Sequence, residues 1–121
     1  MDDVLVLEDG ELSIGFIMGK KPKNLEIKLV ENSEKFREYI TNGGEAKLYF
    51  LDDKVPERQG AAIEPNFINN CSFLFEHKPS ARVFYTGSFI KEKAEIFCRK
   101  YNIELVDKGD IWKVVQRESP K

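Results

Sequence analysis

Reactive side chains in this 121-residue chain stand just after short apolar runs. Glu8 and Asp9 follow Val4-Leu5-Val6-Leu7, and Asp52 and Asp53 follow Leu48-Tyr49-Phe50-Leu51. Thr86 follows Val83-Phe84-Tyr85, and Lys108 comes just beyond the run from Ile103 to Val106. Such runs read as strands buried on both faces. In an open α/β sheet, chemistry sits in the crevice outside the carboxyl ends of the strands. Carboxylates converging there repel one another unless a hard cation sits among them. Magnesium suits that place, because it takes oxygen ligands, keeps several waters and needs only one or two carboxylates. A lysine beside them balances an anion, and a threonine hydroxyl can donate to one. Singly, each feature is ordinary, since a solvated Asp-Asp pair or a lysine at a strand end usually has a structural role. Their recurrence in order, each at a carboxyl end, makes a pattern.

The intervening segments must position these ends. Asp9-Gly10 between apolar stretches is a hairpin signal, with Leu12, Ile14 and Phe16 alternating as a returning strand would. The competing reading is a helix from about Glu11 to Lys20, locally poor because of Gly15 and Gly19. Leu25 to Val30 alternates apolar and charged residues, as an edge strand does. Asn32 or Ser33 can cap a helix bearing Phe36, Tyr39 and Ile40 on one face, which Asn42-Gly43-Gly44 ends. After the central strand and a polar loop, Pro65 suits the first turn of a helix striped by Phe67, Ile68, Cys71, Leu74 and Phe75. A fourth strand ending at Thr86 turns through Gly87-Ser88 into a helix bearing Ile90, Ala94, Phe97, Cys98 and Tyr101. A fifth strand ends at Asp107-Lys108, and a short helix from Asp110 carries Ile111, Val114 and Val115. Strands alternating with helices imply parallel βαβ units with right-handed crossovers. A helix after strand one completes that alternation and decides against the hairpin. The expectation is α/β: one doubly wound domain over residues 1–116 with a five-stranded parallel sheet, and a polar tail over 117–121.

Composition narrows the function. Hydrophobic residues are 41% and charged residues 33%, which excludes disorder. A net charge of −2 with pI near 5.5 lacks the basic face that nucleic acid requires. No apolar run approaches membrane-spanning length, and Met1-Asp2-Asp3 does not begin like a signal peptide. Cys71 and Cys98 lack metal-ligand spacing and read as buried thiols of a cytoplasmic protein. His77, at a helix end, reads as a capping or surface residue.

Taken together, the chain resembles the receiver domain of two-component response regulators, the phosphoacceptor module of bacterial signalling. Leu7-Glu8-Asp9 matches the family's acidic pair. Leu51-Asp52-Asp53-Lys54-Val55-Pro56 followed by Gly60 matches its Asp-x-x-x-Pro-x-x-x-Gly pattern around the phosphorylated aspartate. Tyr85-Thr86-Gly87 matches the Thr/Ser followed by a small residue, and Lys108 the late lysine. The resemblance spans nearly the whole chain and implies the flavodoxin-like strand order 2-1-3-4-5. It implies that Asp52 accepts a phosphoryl group from a histidine kinase or histidine phosphotransfer protein in a magnesium-dependent reaction. Asp9, Asp52 and the backbone carbonyl of Lys54 would hold magnesium, with Glu8 acting directly or through water. Lys54 and Ser88, two residues after Asp52 and Thr86, would flank the phosphoryl group and modulate its hydrolysis. The residue types fit these roles: a carboxylate nucleophile towards phosphorus, with Lys108 and Thr86 supplying positioning and charge stabilisation. The chain would catalyse only its own phosphorylation and dephosphorylation, and its output would be contact with a downstream protein.

The sequence also departs from the family. Gly109 follows Lys108 where proline, in a normally cis bond, is usual; a non-proline cis bond costs about 2.5–4 kcal/mol, which leaves the isomer of this bond and the setting of the lysine open. Leu105 stands where an aromatic ring is usual. The segment from Gly60 to the fourth strand is longer than usual. A phosphorylation-independent, receiver-like interaction module is the alternative, although it would have no need of the full set of Glu8, Asp9, Asp52, Thr86 and Lys108. A flavodoxin-like cofactor domain ranks third, because no Gly-rich phosphate loop follows strand one.

Overall fold

The computed structural model describes residues 1–118. Its strands are β1 (Asp2–Leu7), β2 (Ile27–Val30), β3 (Ala46–Leu51), β4 (Lys54–Pro56), β5 (Ile63–Pro65), β6 (Val83–Tyr85) and β7 (Glu104–Leu105). The α-helices are α1 (Glu11–Gly19), α2 (Ser33–Thr41), α3 (Phe67–His77), α4 (Glu92–Lys100) and α5 (Ile111–Glu118), with a single 3-10 turn at Lys108–Asp110 before the last. The main sheet runs β2-β1-β3-β6-β7, every pair parallel. Counting only its own members, this is the expected order 2-1-3-4-5, with a helix after strand one.

Alternation along β3 builds a core on each face. Tyr49 and Leu51 join Leu5, Leu7, Phe36, Cys71, Leu74, Tyr85 and Cys98 on one side. Leu48 and Phe50 join Val4, Val6, Ile17, Phe84, Ile111, Val114 and Val115 on the other. There Phe50 and Phe84 stack at 4.9 Å between ring centroids. The helices follow their local chemistry to different degrees. Asn32 caps α2 by accepting from Lys35 N at 2.8 Å, and Gly43 ends it with a φ of +89°. α1 is weak: it buries only Ile17, while Leu12 stays 92% exposed. What holds it is tertiary, since the Trp112 indole donates to the Ile17 carbonyl at 2.9 Å.

Several expectations are corrected. The stretch after Asp53 contains a two-stranded antiparallel ribbon, β4 with β5, where a polar loop and a helix start were expected. Pro65 is therefore the last residue of β5, and α3 begins at Phe67. Ile90 lies outside α4, which starts at Glu92. Arg117 and Glu118, expected in a polar tail, belong to α5: Arg117 pairs with Glu104 at 2.7 Å, and Glu118 with Arg82 at 3.1 Å. The rest of that tail lies outside the described residues. Among the described residues no peptide bond is cis, so Lys108-Gly109 is trans, and no helix is long and apolar enough to cross a membrane.

Candidate functional site

Sheet register brings the predicted residues to one level. Leu7 is opposite Leu51, Leu51 opposite Tyr85, and Tyr85 opposite Leu105. The residues that leave these strands, Glu8, Asp52 and Thr86, therefore emerge side by side at the carboxyl edge. Backbone bonds continue the alignment, with Asp52 N donating to the Leu7 carbonyl at 3.1 Å and Thr86 N to the Leu51 carbonyl at 3.0 Å.

Lys108 enters from the turn after β7. Its ammonium lies 2.7 Å from Glu8 Oε1 and 3.3 Å from Asp52 Oδ2. The contact with Asp52 is a hydrogen bond, and the shorter approach to the buried Glu8 is a close ion pair. The other Glu8 oxygen accepts from Gly10 N at 3.0 Å, which ties the start of α1 to the cluster. Burial, and then the neighbouring Glu8 carboxylate, push the Asp52 carboxyl up to about 6 against the opposing pull of Lys108. Burial and Glu8 also raise Asp9. For Lys108, burial alone would lower the pKa, but Glu8 and Asp52 outweigh it and the ammonium is held above its ordinary value.

Carboxylate oxygens of Glu8, Asp9 and Asp52 lie within 4.8 Å of one another. The donors are all oxygen, mostly buried, and their negative charge exceeds the single ammonium beside them. That set fits a hard divalent cation.

The structure sorts the remaining candidates. Of the adjacent pair, only Asp52 faces the cluster; Asp53 turns back to accept from Phe67 N at 3.1 Å. Thr86 is buried at the end of β6. Lys54, in β4, and Ser88, in the loop after β6, are both exposed. A cleft of about 340 Å³ opens between the loops after β6 and β7, lined by Thr86, Ser88, Ile90, Leu105 and Lys108. Leu105 is half exposed at its edge. The role of Asp53 had no local signal in the sequence, because its partner is 14 residues away.

No protein-family model and no curated protein sequence matches this chain. Solved structures do. The Mn(2+)-bound form of response regulator Rcp1 superposes with a TM-score of 0.70 at 13% identity, over 97% of this chain and 91% of that one. A CheY-like response regulator receiver domain protein from Methanospirillum hungatei JF-1 gives 0.70 at 10% identity, over 98% and 93%. A two-component response regulator from Legionella pneumophila gives 0.68 at 19% identity, over 97% and 99%. The chain has the fold of response-regulator receiver domains, over nearly its whole length. At these identities the likeness is one of fold, and the chemistry must be argued from the residues.

Proposed function

We propose that this chain is a receiver that accepts a phosphoryl group on Asp52, from a histidine kinase or histidine phosphotransfer protein, in a magnesium-dependent reaction. The observation that carries the reading is the placement of Asp52 between Lys108, at 3.3 Å, and the carboxylates of Glu8 and Asp9, at the carboxyl edge of a receiver-type sheet. Lys108 offsets the charge of the bare carboxylates, and it stands where it can also meet an anionic group carried on Asp52.

Asp9, Asp52 and the carbonyl of Lys54 would hold the cation, with Glu8 beside them. When bound, magnesium supplies charge neutralisation for the transferring phosphoryl oxygens. The Asp52 carboxylate attacks phosphorus. An oxygen–phosphorus bond forms to Asp52, and the bond from phosphorus to the donor breaks with its electron pair leaving on the donor atom. Lys108 offsets the charge on the phosphoryl oxygens and Thr86 donates its hydroxyl to one of them. Water later cleaves the acyl phosphate, with Lys54 and Ser88 at the rim modulating its approach. Output is contact with a downstream protein, without nucleic acid or membrane, and the two unpaired cysteines suit a cytoplasmic setting.

Intact mass after incubation with acetyl phosphate and magnesium tests this. The expected result is a gain of one phosphoryl group, absent in Asp52→Asn and absent when magnesium is chelated. A persistent adduct in Asp52→Asn removes Asp52 as the acceptor. No adduct under any condition, a cognate kinase included, turns the reading to a phosphorylation-independent interaction module.

A further inference from the structure

Asp52 and Asp53 are adjacent and both buried, yet they serve different partners. Asp53 is held at both ends by successive amides at the start of α3. Its carbonyl accepts from Asn66 N at 2.8 Å and its Oδ1 from Phe67 N at 3.1 Å. Asn66 adds a third tie, donating through Nδ2 to the Val55 carbonyl at 2.9 Å. The residue fixed in this way, through its side chain and its carbonyl, presents its own backbone N–H to Asp52 Oδ1, at 2.8 Å. That contact leaves Oδ2 as the oxygen turned towards Lys108.

We propose that Asp53 is a positioning residue for Asp52: by capping α3 it fixes its own backbone, whose N–H sets the orientation of the Asp52 carboxylate. Phe67 is fully buried, so its amide has no water to turn to if the Asp53 oxygen is removed. The start of α3 or the Asp53 peptide must then shift to satisfy it. A backbone N–H bonded to a carboxylate is charge-assisted and directional, so a shift of this peptide turns the Asp52 oxygens with it. The second carboxylate of the pair thus acts through the first and touches no reacting atom. Its consequence for phosphoryl transfer rests on the phosphoacceptor reading above; its hold on Asp52 does not.

Two measurements on the parent, Asp53→Asn and Asp53→Ala separate these. One is the χ1 rotamer distribution of Asp52, from three-bond couplings by NMR. The other is the rate of adduct formation with acetyl phosphate and magnesium. Asparagine keeps a side-chain oxygen for Phe67 N, and alanine does not. The parent and Asp53→Asn are expected to hold one Asp52 rotamer, and Asp53→Ala to average. Adduct formation should slow about tenfold in Asp53→Ala, as for a modest misplacement of a reacting group, with Asp53→Asn within about twofold of the parent. If Asp53→Ala does not fold, Asp53→Glu, which keeps the charge but displaces the acceptor, is read in its place with the same expectation. A single rotamer in the variant lacking the acceptor overturns the inference, as does equal averaging in Asp53→Asn. A parent that takes no phosphoryl group from acetyl phosphate or from a cognate kinase, while loss of the acceptor still frees Asp52, refutes the phosphoacceptor reading and leaves the positioning role standing.

Discussion

The Lys108 ammonium lies 2.7 Å from Glu8 Oε1, an oxygen of a buried carboxylate. In the absence of a metal, this lysine is the counter-charge to Glu8, Asp9 and Asp52 together. Lys108→Ala leaves three carboxylates facing one another around a buried Glu8. Removing one partner of a buried ion pair costs about 3–5 kcal/mol, and the part exposure of Lys108 puts this case near the lower end, at about 3 kcal/mol. Urea unfolding in chelator should show that loss. Magnesium binds only the folded cluster, so it should restore more stability to the variant than it adds to the parent. Equal stability in chelator would mean that the carboxylates shed their charge by taking up protons.

Gly87 has no room for a side chain. A Cβ there would meet the Tyr85 hydroxyl at 2.6 Å and its ring at 2.7–2.8 Å. Tyr85 cannot move aside cheaply, because its ring packs edge-on against Phe67 at 4.8 Å and its hydroxyl donates to the Phe89 carbonyl at 3.0 Å. Gly87→Ala should therefore lower stability by about 1–3 kcal/mol, the usual cost of overpacking. It should also release the loop from Gly87 to Phe89, seen as faster amide exchange there. A melting temperature equal to the parent's would show that the ring yields freely.

The parallel sheet was legible because β1 and β3 each end in four apolar residues in a row, and the register follows once those runs are aligned. Helix α1 was legible only through topology, since Gly15 and Gly19 argue against it locally and its hold on the sheet comes from Trp112, far along the chain. The ribbon was not legible: Lys54-Val55-Pro56 and Ile63-Glu64-Pro65 are three residues each and both end in proline, which reads as loop. The start of α4 was misplaced because the segment before it stays irregular, with the Tyr85 hydroxyl engaging the Phe89 carbonyl four residues on, short of the helix. In the site, Glu8, Asp9, Asp52 and Lys108 could be found by residue type and order along the chain. Asp53 could not, because an acidic pair in sequence does not reveal which member faces a distant helix start.

Cys71 and Cys98 sit in the core, and burial pushes their thiols up to about 12 and about 11. Both should resist a thiol reagent in the native protein near neutral pH and react only after unfolding. The sign of the pH effect follows from linkage. Between the ordinary thiol pKa, near 8.5–9, and these raised values the folded state holds more protons than the unfolded one. Stability is thus undiminished below about pH 8 and falls as pH rises towards 11–12. Cys71→Ala and Cys98→Ala lose packing at neutral pH, so the diagnostic is the slope: unfolding midpoints between pH 8 and 10.5 should fall less steeply in either variant than in the parent. Identical slopes would place the alkaline loss in the raised tyrosines, Tyr39, Tyr49 and Tyr85, rather than in the thiols.

The last expectation concerns how long the phosphoryl group stays. Lys54 is exposed in β4, its backbone paired opposite Pro65, two residues beyond Asp52. No ion pair engages its ammonium among those of the described residues, so a long stem with three donors is free to lie over Asp52 once that residue carries charge. Lys108 already stands beside Asp52, so the transition state has a cation in place, and a second one mainly steadies the acyl phosphate and obstructs in-line water. Lys54→Ala should lose its phosphoryl group faster than the parent, by roughly 3- to 10-fold for an effect of about one kcal/mol. Release of phosphate from the isolated adduct measures it. An unchanged rate would leave Lys54 in solvent throughout, and a slower one would show that its charge assists hydrolysis.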